Sequence, residues 1–299
     1  MKTYLGIDLG GTNVRVAKVT RDGMVLAEVK RPSLAQEGPR SVMDNIIAMI
    51  RQIPGYSDCA GIGVGVPGPV DTVSGKMLMA TNLPGFEQYP IAAELTQSLG
   101  IPTYVDNDAN VAGLAEARVG AGKGLPVVYY VTISTGIGGA LIVDGKVVSG
   151  KHGHAGEIGN IIIDRQREKI NHLNIGAVEN EASGTALVRK GKKLFGDQIE
   201  HAGHVFELAA RQDPQAMQLV EQMSLDLAVM FSVIAHIVDP WMFVVGGGMM
   251  QSRQMFMDKV IAHFKTLVHT PMRDTLFETA KLDEPGVIGA AMLPISYGN

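Results

Sequence analysis

LGIDLGGTNVRVAKVTRDGMVLAE, Leu5–Glu28, reads as a hydrophobic strand, a glycine turn, a second strand, an Asp-Gly turn and a third strand. The same order returns at YYVTISTGIGGALIVDGKVVSG, Tyr129–Gly150. In each copy an apolar strand runs into small, polar, Gly-rich residues, Asp8–Asn13 in the first and Ser134–Gly139 in the second. Such a turn offers backbone N–H groups and short hydroxyls, which suits contact with phosphate oxygens. Two such hairpins in one chain point to duplicated halves acting on a nucleotide, and so to phosphoryl transfer.

Around these copies the chain alternates strand and helix. Val42, Ile46, Met49, Ile50 and Ile53 follow helical spacing. Ala60–Val66 is a short apolar strand stopped by Pro67-Gly68-Pro69, and Ile91, Leu95 and Leu99 mark a helix ended by Gly100. A strand at Pro102–Val105 delivers Asp106-Asn107-Asp108 to its C-terminal end. Asn110–Arg118 then reads as a helix capped by Asp108 or the residue beside it. In the second half three strands occupy about Val127–Val148, and an irregular polar stretch covers His152–Glu181. A long apolar-periodic helix runs from Pro214 to about Val238, and strand Trp241–Val245 ends in Gly246-Gly247-Gly248. The order predicts an α/β protein of two related halves.

Composition narrows the class. A chain of 299 residues fits two domains, and 46% hydrophobic with 19% charged residues is the make-up of a well-packed soluble enzyme. A net charge of -4 gives no basic footprint, so nucleic acid is not an expected partner. The single cysteine, Cys59, excludes a disulfide framework and a cysteine-based zinc cage, and fits a cytoplasmic compartment. No apolar run reaches the roughly 18–20 residues of a membrane span. Met1 lies almost on the first strand, which leaves no room for a signal peptide. No membrane partner is expected.

Four places carry possible chemistry. Asp8 meets a glycine turn, where its carboxylate could hold a hydrated Mg²⁺ while Gly10–Thr12 meet phosphate. A turn-stabilising Asp is the plainer alternative. Asn107-Asp108 ends a strand and begins a helix, where a carboxylate can accept a hydroxyl proton and an amide can hold a neighbouring hydroxyl. Simple capping explains one polar residue there, but not Asp106, Asn107, Asp108 and Asn110 together. His154, Glu157, Asn160, Glu179 and Glu181 form a polar run suited to a polyhydroxylated ligand; a solvated loop, or a weak metal site with His152, are the competing readings. Gly246–Gly248 let a base or ribose lie on backbone, or simply make a tight turn. Gly63-x-Gly65-x-x-Gly68 matches the dinucleotide fingerprint only formally, because Pro67 and Pro69 disrupt the helix opening. No P-loop motif is present.

At these residues the chain resembles the ROK family of sugar kinases, within the actin/hexokinase-like superfamily, over nearly its whole length. DLGGTN (Asp8–Asn13) and STGIGG (Ser134–Gly139) are similar to the two phosphate segments, and DNDAN (Asp106–Asn110) to the catalytic segment. VGVPGPVD (Val64–Asp71), TNLPGF (Thr81–Phe86), GHAGEIGN (Gly153–Asn160) and VENEASG (Val178–Gly184) resemble the sugar-side segments, and VVGGG (Val244–Gly248) the adenosine segment. The resemblance implies a two-lobed actin-like, ribonuclease H-like ATPase fold with duplicated βββαβαβα-type halves. It implies a smaller lobe over 1–112, completed by about 286–299 with its last helix at Gly286–Leu293, and a larger lobe over 113–285.

The same resemblance implies ATP-dependent phosphorylation of a hexose at its 6-hydroxyl, as in a glucokinase. Asp108 would be the catalytic base, with Asn82, Asn107, Glu157, Asn160 and Glu179 on the sugar. Asp8, Gly10, Gly11, Thr12, Asn13, Ser134, Thr135 and Gly136 would lie at the phosphates, and Gly246, Gly247 and Gly248 at the adenosine. Mg²⁺ would sit near Asp8, held through water. A homodimer, and lobes that close on the sugar, are further expectations. An N-acetylmannosamine, N-acetylhexosamine or glycoside kinase is the alternative within the family. A non-catalytic sugar-responsive regulator is the outside one: a repressor of the family would carry a helix-turn-helix segment where only Met1–Leu5 precede the first motif, and a silent sensor is disfavoured because Asp108 and both phosphate segments are intact. Family members commonly carry a His where this chain has Asn160, followed by a cysteine cluster; Ile161–Gly176 holds no cysteine, so no zinc is expected. That stretch is then expected to be held by hydrogen bonds and by packing of Ile161, Ile162, Ile163 and Ile170.

Overall fold

The structure is a computed structural model that describes residues 1–80 and 82–298; Thr81, the first residue of the TNLPGF segment, lies outside them. The chain forms two compact units, one of Met1–Tyr130, Ala140–Gly156 and Ala280–Asn299, the other of Val131–Gly139 and Glu157–Thr279. The boundary expected near residue 112 falls inside a helix that belongs wholly to the first unit.

In chain order the first half contains β1 (Thr3–Leu9), β2 (Asn13–Thr20), β3 (Val25–Pro32), α1 (Pro39–Ile50), β4 (Ile62–Val66), a short hairpin of β5 (Val70–Asp71) and β6 (Lys76–Met77), α2 (Ile91–Leu99), β7 (Thr103–Asn107) and α3 (Asp108–Val119). The second half contains β8 (Val127–Ile133), β9 (Ile137–Val143), β10 (Lys146–Val147), α4 (Val178–Ala182), α5 (Gly184–Phe195), α6 (Ala202–Ala210), α7 (Pro214–Val238), β11 (Met242–Gly246), α8 (Met257–Leu267), β12 (Leu276–Thr279) and α9 (Pro285–Tyr297). The sheets run β3-β2-β1-β4-β7 and β10-β9-β8-β11-β12, so both follow one topology. The duplication read from the two hairpins is therefore a duplication of whole sheets. The four-residue strand β12 was not anticipated, because LFET carries no clear alternation. The helix α4 also lies inside the stretch expected to be irregular.

In the first sheet β1 is antiparallel to β2 and parallel to β4, which is parallel to β7. Side chains of β1 alternate between two jobs. Leu5, Ile7 and Leu9 join the core that also holds Val42, Met43, Ile46, Met49 and Ile50 of α1. Each of those side chains contributes about 1.5–3 kcal/mol by leaving water. Gly6 and Asp8 face the other way, toward α9. A Cβ on Gly6 would lie 2.0 Å from the Val287 carbonyl oxygen, and one on Gly63 of β4 would lie 1.8 Å from that of Ala290. Glycine at these two positions lets the helix backbone rest directly on the sheet. This is the function of Gly63, the first glycine of the spurious dinucleotide match.

In the second unit α7 starts after Asp213, whose side chain accepts from Gln215 N and Ala216 N at 3.0 Å, with Pro214 in the first turn. By length and composition α7 could cross a membrane, but 61% of its most apolar window is buried inside the protein. Its neighbours there are α4, α5, α6 and α8, so it is the core helix of this unit.

Candidate active site

In the first unit the strand register lines up chemistry at the carboxyl ends of the parallel strands. Asp8 of β1 pairs with Gly65 of β4, and Gly65 with Asp106 of β7. Neighbouring strands lie about 4.8 Å apart, so the two carboxylates stand roughly 10 Å apart on one face. Loops beyond such strand ends are where α/β sheets bind ligands. The turn after β1 closes by Gly10 N donating to the Asn13 carbonyl at 2.9 Å. It is tied to the end of β3 by Ser33, whose hydroxyl donates to the Gly11 carbonyl at 2.8 Å and whose N–H donates to that of Thr12 at 2.9 Å. Burial pushes the Asp8 carboxyl up from its ordinary pKa, and Arg15, opposite it on β2, opposes that shift. Gly11 and Thr12 share a polar cavity of about 390 Å³ with Asn82, Pro84 and Gln36. Gln36 carried no signal in the sequence.

The corner from β7 into α3 separates two roles. Asn107 is the cap: its side-chain oxygen accepts from Asn110 N at 2.7 Å. Asp108 is the first helical residue and is exposed; one of its oxygens accepts from Ala109 N at 2.8 Å. Asp106 is 1% exposed and accepts from Asn107 N, Asn110 Nδ2 and the Tyr297 hydroxyl.

In the second unit the turn after β8 closes by Ser134 N donating to the Gly136 carbonyl at 2.9 Å. The N-terminus of α5 meets this turn, with Gly184 N on the Ser134 carbonyl at 2.8 Å and Thr185 N on that of Thr135 at 3.3 Å. Ser134, Thr135 and Gly248 line a cavity of about 550 Å³ whose other walls are the start of α5, Glu200 and His201 with the first turns of α6, and Met249, Gln251 and Ser252. That volume suits a nucleotide-sized ligand, and the positive end of α5 suits its phosphates. Gly246, Gly247 and Gly136 are not among its walls. Gly247 instead seats against the Ile133 carbonyl, where a Cβ would come within 2.3 Å. The entry into α6 at 200–203 escaped the sequence reading because EHAG carries no turn or phosphate signature.

Glu179, on α4, accepts from Ile137 N at 2.8 Å, so the acidic run is bolted to the turn after β8. A Cβ on Gly136 would lie 2.6 Å from that carboxylate, which explains the glycine there. Glu157 is exposed just before a short 3-10 turn, Ile158–Asn160. The side-chain oxygen of Asn160 is committed to Asn174 N at 2.7 Å.

The stretch from 161 to 177 is held by hydrogen bonds, as expected, but the expected packing is met only in part: Ile161 and Ile163 are half-buried. Ile162 and Ile170 are 44% and 37% exposed and cannot pin it by packing. Arg167 pins it: its guanidinium reaches Asp164 at 2.9 Å, Glu181 at 3.1 Å and Asp226 at 3.1 Å, and Lys190 adds a second bond to Glu181 at 2.7 Å. Asn171 accepts from Asn180 Nδ2 at 2.9 Å. Among the described residues no group of three His, Cys, Asp or Glu side chains is placed to hold a metal ion. The stretch itself offers one imidazole, His172, and no thiolate, which does not fit the Cys- and His-rich cage of a structural zinc.

Two sheets of one topology, each with a glycine turn at the end of its first strand, define the actin-like class of α/β protein. The chain belongs to the ROK family, whose profile matches residues 4–296. It is 30% identical over 311 residues to a glucokinase of Halalkalibacterium halodurans, covering 97% of this chain and 94% of that one. Among solved structures it is similar to a ROK hexokinase from Thermus thermophilus, with a TM-score of 0.89, 29% identity and 97% of each chain covered. It is also similar to a ROK glucokinase from Streptomyces griseus in complex with glucose and AMPPNP, with a TM-score of 0.75, 28% identity and 97% and 98% of the two chains covered.

Proposed function

We propose that this chain, an ATP-dependent sugar kinase of the ROK family, phosphorylates the primary hydroxyl of a hexose, glucose or a close relative. The observation that carries the reading is the β7–α3 corner: Asn107 does the capping, so Asp108 is not needed for it and stands exposed at the end of the parallel strands. In this reading the sugar hydroxyl oxygen attacks the γ-phosphorus as its proton passes to Asp108. The bond to the ADP oxygen breaks, and ADP carries that electron pair away. The Asn107 carbonyl oxygen is engaged in the cap, so its side-chain NH₂ is the part that can hold a sugar hydroxyl. Asn82, Glu157 and Glu179 are further sugar ligands in this proposal; Asn160, with its oxygen taken by Asn174, is left with its NH₂ alone.

Phosphoryl transfer leaves little covalent work to the protein, so positioning and charge neutralisation dominate. The second-unit cavity would take the nucleotide, with Ser134, Thr135 and the α5 N-terminus toward its phosphates and Gly248 toward the adenosine. Asp8 fits a hydrated Mg²⁺, which takes one or two carboxylates and keeps several waters; when bound, the ion neutralises charge on the phosphates. We place the enzyme in the cytoplasm, in line with its single cysteine, and take it as a homodimer, in line with the resemblance. A coupled ADP-release assay over glucose, mannose, N-acetylglucosamine and N-acetylmannosamine tests the reading. Turnover confined to the acetamido sugars would transfer the assignment to the alternative kinase, and sugar binding without turnover would make the chain a regulator.

A further inference from the structure

The C-terminal helix ends against the catalytic corner. Tyr297, in the last turn of α9, donates its hydroxyl proton to Asp106 Oδ2 at 2.5 Å, and the same hydroxyl oxygen lies 2.5 Å from Ser149 Oγ. The ring of Tyr297 stacks on that of Tyr104 from β7, with centroids 6.5 Å apart. A tyrosine hydroxyl has one proton, so with that proton on Asp106 the Ser149 hydroxyl must be the donor to Tyr297. The hydrogen bonds thus run Ser149 to Tyr297 to Asp106 in one direction. Ser149 is itself the root of a loop, because Ala155 N donates to its carbonyl at 3.0 Å. That loop holds His152 and His154, and leads to Glu157.

Asp106 is the pivot. It is buried, with no cation beside it among the described residues, and its three donors come from β7, α3 and α9. Asn107 and Asp108 follow it directly, and Asn110, which bonds the Asp106 carboxylate, also bonds the Asn107 cap. The direction in which α3 leaves the sheet is therefore fixed by how the Asp106 carboxylate is held. Asp106 Oδ2 accepts from the Tyr297 hydroxyl, and Ser296 beside it accepts from Val147 N at 3.0 Å, which ties the same helix end to β10.

We infer that Tyr297 is a positioning residue for phosphoryl transfer, acting with Ser149 through Asp106 to aim Asp108. The inference rests on the reading of Asp108 as the base. Its test separates the two. Tyr297→Phe removes one oxygen and keeps the ring stack, and Ser149→Ala removes the donor behind it. With glucose, or the best hexose of the panel, Tyr297→Phe is expected to lower kcat about tenfold while KM for ATP stays within twofold. Ser149→Ala should lower kcat several-fold, and the double variant should be no slower than Tyr297→Phe, since neighbours acting through one group are not additive. On an Asp108→Asn background, Tyr297→Phe should leave the residual rate within twofold, because there is no base left to aim. A purely structural role would cost the same factor on both backgrounds, and that result, or a kcat within twofold of the parent, overturns the inference. Where Tyr297→Phe does not fold, Ser149→Ala on the two backgrounds is read by the same criteria. Full activity of Asp108→Asn alone would instead remove the base assignment, in a variant that leaves Tyr297 intact.

Discussion

Asn107 and Asp108 are adjacent, similar in size and both able to cap a helix, yet the fold gives the cap to Asn107 alone. That division makes a clean substitution available. Asp108→Asn keeps volume and the acceptor that Ala109 N uses, but removes basicity. We predict that kcat falls by roughly 10² or more, while the melting temperature moves by no more than about a degree. Steady-state kinetics with thermal denaturation checks both halves, and activity within a few-fold of wild type would sink the base assignment.

At the scale of elements, two contacts hold the pieces that carry the site. The first is α9 lying directly on β1 and β4. Gly63→Ala would drive a Cβ into the Ala290 carbonyl, where backbone must move. Gly65→Ala, two residues along, meets only Val111 methyl groups at 3.3 Å and 3.4 Å. Overpacking against backbone costs about 3 kcal/mol or more, so Gly63→Ala should lower the melting temperature by roughly 6 °C or more, with Gly65→Ala affected far less. Equal effects of the two would refute direct helix-on-sheet packing. The second is Arg167, which joins the 161–177 stretch to Glu181 of α4 and Asp226 of α7, both side chains 5% exposed. Burial already pushes the Asp226 carboxyl up, and one of its oxygens has no partner among the described residues. Removing the cation strands buried charge, so Arg167→Ala should cost about 3 kcal/mol and open 161–177 to limited proteolysis. Dialysis against a chelator should leave the melting temperature of the parent protein where it was. A chelator-induced melt, with Arg167→Ala harmless, would mean that a metal holds this stretch.

For the whole molecule, the proposed function requires two ligands, a hexose and a nucleotide. A ligand that binds only the folded protein stabilises it by mass action, about 2.7 kcal/mol at a hundredfold excess over Kd. A nonhydrolysable ATP analogue with Mg²⁺, and separately the preferred hexose, should each raise the melting temperature by roughly 5 °C. The nucleotide shift should be lost when Gly248→Trp fills the second-unit cavity, and the hexose shift should survive it. A nucleotide shift that persists in that variant would place the nucleotide elsewhere.

Much of this was legible in the chain, and the reason is locality. Strands that end in DLGGTN and STGIGG, the Asp106–Asn110 corner and the 25-residue helix after Pro214 are each written in neighbouring residues, through alternation, turn chemistry and capping. The repeated hairpin was enough to announce two sheets of one topology, because strand order follows once three strands and their turns recur. What the sequence alone could not decide is which side chains meet after folding. Nothing local distinguishes Asn107 from Asp108 as a cap. Ile162 and Ile170 have the composition of core residues and are exposed, while Arg167, which carries no local signal, reaches a carboxylate 59 residues away. The nucleotide-sized cavity takes a wall from the start of α6, which carries no motif, and Tyr297 finds Asp106 across 191 residues. Those pairings depend on how helices settle on sheets, and periodicity carries no record of partners that far apart.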